Sequence, residues 1–117
     1  VTEIFEEIRD AGSLTDELAE RVEKEYGARG KKAIEAFRSG KIKRYRDFFV
    51  VEGKKGEYIV EGDFCSCDDY LGRLSKKGGI CYHSIATRIA DATGRYEKVD
   101  EWYTDKLRGR TYFKIKK

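Results

Sequence analysis

Apolar positions recur every three or four residues through the first forty positions of the chain, the spacing of amphipathic helices. Ile4, Phe5 and Ile8 share one face and end at Ala11-Gly12. A second stripe, Leu14, Leu18, Val22 and Tyr26, follows Ser13 or Thr15 as N-cap, carries Asp16-Glu17 in its first turn, and stops at Gly27. Ala33, Ile34 and Phe37 predict a third, short helix ending at Ser39-Gly40. Positions 42–51 and 57–60 are then rich in β-branched and aromatic residues. Glu52-Gly53-Lys54-Lys55-Gly56 lies between them, which predicts an antiparallel hairpin.

The second strand runs into Phe64-Cys65-Ser66-Cys67. After a polar, glycine-containing loop, Cys81-Tyr82-His83 leads into Ile85, Ala86, Ile89 and Ala90 at helical spacing, ended by Gly94. Val99, Trp102 and Tyr103 predict a further helical turn or two, packed with Leu107 onto the body. Positions 111–116 alternate like a last strand, with Phe113 and Ile115 on one face. The expected fold is α+β in one compact domain: N-terminal helices over 1–40, a hairpin with a metal-held loop and helix over 41–94, and a C-terminal helix and strand over 95–117.

Composition changes this picture little. The 117 residues suit one domain. Charged residues make up 40% of the chain, and Pro, Met, Asn and Gln are absent, the Lys/Glu-rich tendency of thermophilic proteins. No run approaches the ~18 apolar residues of a membrane span, and no apolar leader opens the chain. The expectation is a soluble cytoplasmic protein with no membrane partner and no small-molecule substrate. Three cysteines, an odd number in a short chain, argue against a disulfide framework and for metal.

All three cysteines and the single histidine fall within nineteen positions as C-x-C, thirteen residues, then C-x-H. Side chains two apart on an extended strand share a face, so each pair can reach one ion. Cys65, Cys67, Cys81 and His83 then complete a Cys₃His shell for one Zn²⁺. Buried inert cysteines beside a core histidine leave the two matching pairs unexplained. A redox C-x-C pair leaves Cys81 and His83 unexplained. Catalytic zinc keeps a position open for water, whereas four protein ligands fill the shell, so this zinc is expected to be structural. With the only histidine used as a ligand, catalysis would fall to carboxylates, Lys or Tyr alone, and no enzyme is expected.

At these residues the chain resembles a SWIM-type zinc finger, in which C-x-C and C-x-H frame a variable spacer. Phe64 before the first Cys, Ile85-Ala86 after the His, the hairpin before and the helix after fit the same pattern over roughly residues 40–94. Asp68-Asp69-Tyr70 keeps the Asp often found after the second Cys but not the Pro. The resemblance implies a ββα core with Cys65, Cys67, Cys81 and His83 as ligands, and a role in binding DNA or docking proteins. Fused members of the family carry an ATPase or other domain. This chain has no G-x-x-x-x-G-K-[ST] phosphate loop and looks like a free-standing, archaeal-type member.

Charge separates the two remaining roles. Residues 1–25 hold nine acidic against three basic groups, a net of −6, and residues 26–117 hold 22 basic against 13 acidic, a net of +9. Lys41, Lys43, Arg44 and Arg46 on the first strand, Lys54 and Lys55 at the hairpin tip, Arg73, Lys76 and Lys77 in the metal loop, and Arg88 on the helix are candidate nucleic-acid contacts. Interleaved Tyr45, Tyr70, Tyr82 and Tyr112 could stack on bases. More basic residues follow in the tail: Lys106, Arg108, Arg110, Lys114, Lys116 and Lys117. The expected function is nucleic-acid binding, DNA before RNA, in genome maintenance or information processing. The alternative is an adaptor that docks a recombinase, helicase or other partner through its N-terminal helices or the Trp102 region. An exposed apolar patch on those helices, with no contiguous basic stripe, would favour the adaptor. Solvated charge paired with the many acidic groups is the plainer account of the same cations.

Overall fold

The protein is described by a computed structural model covering residues 3–53 and 56–105. Lys54, Lys55, the tail cations and the strand expected over 111–116 lie outside the described residues. Among the described residues, no helix is long and apolar enough to cross a membrane.

Three helices open the fold: α1 (Glu3–Ala11), α2 (Asp16–Tyr26) and α3 (Ala28–Arg38). The Thr15 hydroxyl accepts the Leu18 N–H at 3.2 Å, so Thr15 is the N-cap and satisfies one of the free amides of the first turn. Leu14 lies before α2 but still packs partly buried against the core. Gly27 alone joins α2 to α3, at φ +63°, a left-handed conformation that side chains rarely adopt. The third helix is longer than its apolar triplet predicts. It begins directly after that corner, and Gly30 crosses α2 so closely that a Cβ there would lie 2.6 Å from the Val22 carbonyl oxygen.

The chain then builds β1 (Ile42–Arg44), β2 (Phe49–Gly53), β3 (Gly56–Glu61) and β4 (Phe64–Cys65) as an antiparallel meander. Positions 42–51, read as one strand, in fact fold back on themselves. Arg46 and Asp47 sit in a turn closed by the Tyr45 N–H donating to the Phe48 carbonyl at 2.9 Å, and Ile42 pairs with Val51. A two-residue strand, β5 (Glu97–Lys98), adds in parallel to β1, giving the order β4-β3-β2-β1-β5 in one mixed sheet.

Alternation gives the sheet two apolar faces. Ile42, Val51 and Val60 point into the main core with Ile8, Val22 and Ile34. The long helix α5 (Tyr82–Thr93) covers that face with Ile85, Ile89 and Ala90, and packs in turn against α1 and α3. Each fully buried Ile or Val contributes about 1.5–3 kcal/mol relative to exposure. On the other face Val50 meets Tyr45 and Tyr103, with Phe48, Ile59 and Val99 around them. Residues 103–105 begin the expected helical turn, and Val99 and Tyr103 pack as foreseen. Trp102 does not: it is 47% exposed. The polar loop between the cysteine pairs is also more ordered than its sequence suggests. It contains a π-helical turn over Tyr70–Leu74 that continues into α4 (Ser75–Lys77), anchored by buried Leu74.

Candidate metal centre

Three elements converge on the cysteines and the histidine. Cys65, opposite Val60 in the β3–β4 pair, turns inward and is fully buried. The next residue clamps this short strand to β3. The Ser66 N–H donates to the Ile59 carbonyl at 3.0 Å, and the Ser66 hydroxyl accepts the Ile59 N–H at 2.9 Å. Cys67 follows as the chain bends into the π-helical turn, and its sulfur accepts the Tyr70 N–H at 3.4 Å. Cys81 is the N-cap residue of α5, where the positive end of the helix dipole favours a thiolate. His83 stands in the first turn of α5, its ring between Tyr58 and Tyr82 at centroid distances of 4.6 and 3.9 Å.

The four donor atoms lie within 4.8 Å of one another, and all four residues are buried. The His83 Nδ1 faces the sulfurs, 3.7 Å from Cys65 Sγ and 3.9 Å from Cys81 Sγ. A tetrahedral ion with bonds of ~2.3 Å to sulfur and ~2.0–2.1 Å to nitrogen requires S···N edges of about 3.5 Å. The cluster is therefore close to the size of a coordination shell, and it could hold one metal ion through three sulfurs and Nδ1. On the far side of the ring, Nε2 is buried with no hydrogen-bond partner among the described residues.

Charge supports the same reading. Cys81 is pulled well below the ordinary thiol range, first by the hydrogen bond from Cys65, then by those from His83 and Ser84 against the cost of burial. Cys65 is pushed up by its hydrogen bond to Cys81 and by burial, and Cys67 by burial. A cation held by these residues would supply positive charge that favours the thiolate form of all three cysteines.

A clasp that the sequence did not reveal secures the metal loop. Arg29 on α3 donates from Nε and Nη2 to the two carboxylate oxygens of Asp69, at 2.9 and 3.0 Å. The guanidinium holds the Asp69 carboxyl below the usual carboxylate range, and the attraction of Asp69 and of the Cys81 and Cys67 sulfurs raises Arg29 further. No local pattern joins residues forty positions apart. Beside the cluster runs an open groove of about 750 Å³, bordered by Lys32, Lys41, Tyr58 and Tyr82, with His83 in its wall.

The structure distributes the other candidate residues widely. Lys43 pairs with Glu52 at 3.2 Å, Arg46 with Asp100 at 2.8 Å, and Arg88 with Asp63. Arg44 lies over the Phe49 ring, 4.6 Å from its centroid, and Lys41 borders the groove. Arg73, Lys76 and Lys77 are exposed together on the helical knuckle of the metal loop, with no ion pair among the described residues. The only histidine and all the cysteines come together as expected, whereas the candidate cations among the described residues are spread over β1 and its flanks, the 70–77 segment and α5.

No family model matches the chain, and no solved structure matches it. It is 50% identical over 80 residues to a protein of Archaeoglobus fulgidus described as uncharacterized, covering 68% of this chain and 69% of that one. The chain belongs to the same family as that archaeal protein.

Proposed function

We propose that the protein is a SWIM-type module, built around one structural zinc ion, that binds nucleic acid, DNA before RNA. The carrying observation is the closed quartet of Cys65, Cys67, Cys81 and His83, buried and sized for one ion. Three thiolates and an imidazole suit zinc, which takes this set in tetrahedral structural sites. The ion would tie β4, the helical loop and α5 together. Four protein donors leave no place on it for a substrate, so no enzymatic role is proposed. Nucleic-acid binding draws support from Arg73, Lys76 and Lys77, which are exposed on the loop between the ligand pairs and form no ion pair among the described residues, although the charge of Arg73 is felt by Asp69. The adaptor reading loses one support, because Ile4, Phe5, Ile8, Leu18 and Val22 of the N-terminal helices are buried rather than exposed. The exposed Trp102 still suits it.

The test is fluorescence anisotropy of labelled DNA and RNA against zinc-loaded protein, from low to near-physiological salt. Micromolar or tighter binding that weakens steadily as salt rises is the expected result. Absence of binding at low salt would reject the nucleic-acid role and leave the adaptor reading.

A further inference from the structure

The metal loop carries apolar surface as well as charge. Among the described residues, the large hydrophobic side chains left exposed are Phe64 at 45%, Leu71 at 50% and Trp102 at 47%. Two of the three belong to the metal centre's own elements. Phe64 precedes the first ligand on β4, and Leu71 lies on the π-helical turn packed beside it. Phe64 meets half-buried Tyr70 edge to face, with centroids 5.5 Å apart, and is still largely open to solvent. The same turn and the short helix after it present Arg73, Lys76 and Lys77.

Leu74 and half-buried Tyr70 pack the helical knuckle onto the core, while Leu71 is exposed. Nearby acidic charge is partly neutralised: Asp69 is held by Arg29 and Asp63 by Arg88, which leaves Asp68 and Glu61 as the open carboxylates. An exposed ring and an apolar neighbour beside three exposed cations that form no ion pair among the described residues make the pairing that single-stranded nucleic acid needs. Unpaired bases offer π-faces for stacking, and the backbone offers phosphates. A duplex keeps its bases stacked inside and would use the cations alone.

We infer that Phe64, Tyr70 and Leu71, with Arg73, Lys76 and Lys77, form a docking surface for single-stranded nucleic acid, bases on the rings and phosphates on the cations. This inference rests on the nucleic-acid reading and narrows it to one ligand form and one face. DNA and RNA share the chemistry invoked, and the assay separates them.

The experiment measures anisotropy of labelled oligothymidylate and oligouridylate of about 15 nucleotides, long enough to span such a site. A hairpin duplex is the comparison, and zinc-loaded full-length protein is used throughout. Single strands should bind at least about tenfold tighter than the duplex. The double variant Phe64→Ala/Leu71→Ala should weaken single-strand binding by about tenfold or more without changing its salt slope, since stacking carries no counterions. Phe64→Trp should restore binding, which a mere folding defect would not allow. Lys76→Ala/Lys77→Ala should lower the salt slope by about 1.4, the value for two phosphate contacts to a single strand. Duplex preference, or single-strand binding indifferent to Phe64→Ala/Leu71→Ala, would overturn the surface and leave the nucleic-acid reading standing. Failure of the parent protein to bind any of the probes would overturn both.

Discussion

Breaking the Arg29–Asp69 clasp should loosen the metal loop and weaken metal binding together. Among the described residues the clasp is the ion pair joining α3 directly to the segment between the two ligand pairs, so its loss leaves the 70–77 knuckle held by the packing of Tyr70 and Leu74. Each charge-assisted hydrogen bond of a forked pair is worth about 1.5–3 kcal/mol when shielded, whereas a fully exposed ion pair is worth about 0–1 in all. The Arg29 and Asp69 side chains are 38% and 31% exposed, so solvent screening discounts the shielded figure heavily. We expect a coupling of about 1 kcal/mol from a double-mutant cycle of Arg29→Met and Asp69→Asn. Because metal binding and loop folding are linked, most of that coupling should reappear as about fivefold weaker zinc affinity in competition with a chelator. The Asp69 carboxyl is held below its unfolded value, so its contribution is complete above that value and is lost only as pH falls through the folded one. The coupling should therefore be flat between about pH 6 and 8. Coupling below about 0.3 kcal/mol in both urea unfolding and zinc competition would refute the clasp as a support of the site.

Two further outcomes follow from the packing. Gly30→Ala gains about 1 kcal/mol of helix propensity but drives a Cβ to 2.6 Å from a backbone oxygen that cannot rotate away, so α2 and α3 must part. We expect net destabilisation by about 1–2 kcal/mol in thermal unfolding of the metal-loaded protein, and equal or higher stability would contradict the close crossing. Asp47 accepts the Tyr103 and Thr104 N–H groups at 2.7 and 3.2 Å. These bonds outweigh burial and keep its carboxyl below the ordinary range. Asp47→Ala should cost about 1 kcal/mol and remove hydrogen-exchange protection at those two amides, and unchanged protection would show the cap to be idle. In the parent, this cap should persist above the unfolded carboxylate value and fail as pH drops through the lower folded one.

Much of this was legible along the chain, and the exceptions have physical causes. The three N-terminal helices and α5 announced themselves because each buries one stripe, and Thr15 and the glycines mark their ends where the backbone requires it. The ligand quartet was legible because chemistry concentrated every cysteine and the only histidine there. The β1–β2 turn was not, since Val50 and Val51 both find apolar surroundings on opposite faces of the sheet, and the run from Ile42 to Val51 conceals the polar Arg46-Asp47 break. The helical knuckle was read as loop because Gly72 interrupts it and Gly78-Gly79 follow it, while only Tyr70 and Leu74 pack inward, too few to show a helical stripe. Pairings such as Arg29–Asp69 and Lys43–Glu52 depend on tertiary approach, and they decide which cations stay available.

The central claim is one structural metal ion held by three sulfurs and His83 Nδ1. Its most direct test is metal content and thermal stability of the purified protein and of Cys81→Ala, measured side by side after exposure to excess zinc. The account predicts about one zinc per parent chain, little or none in the variant, and a large loss of stability in the variant matched by the parent after chelation. A variant that lacks metal yet unfolds at the parent's temperature would contradict it.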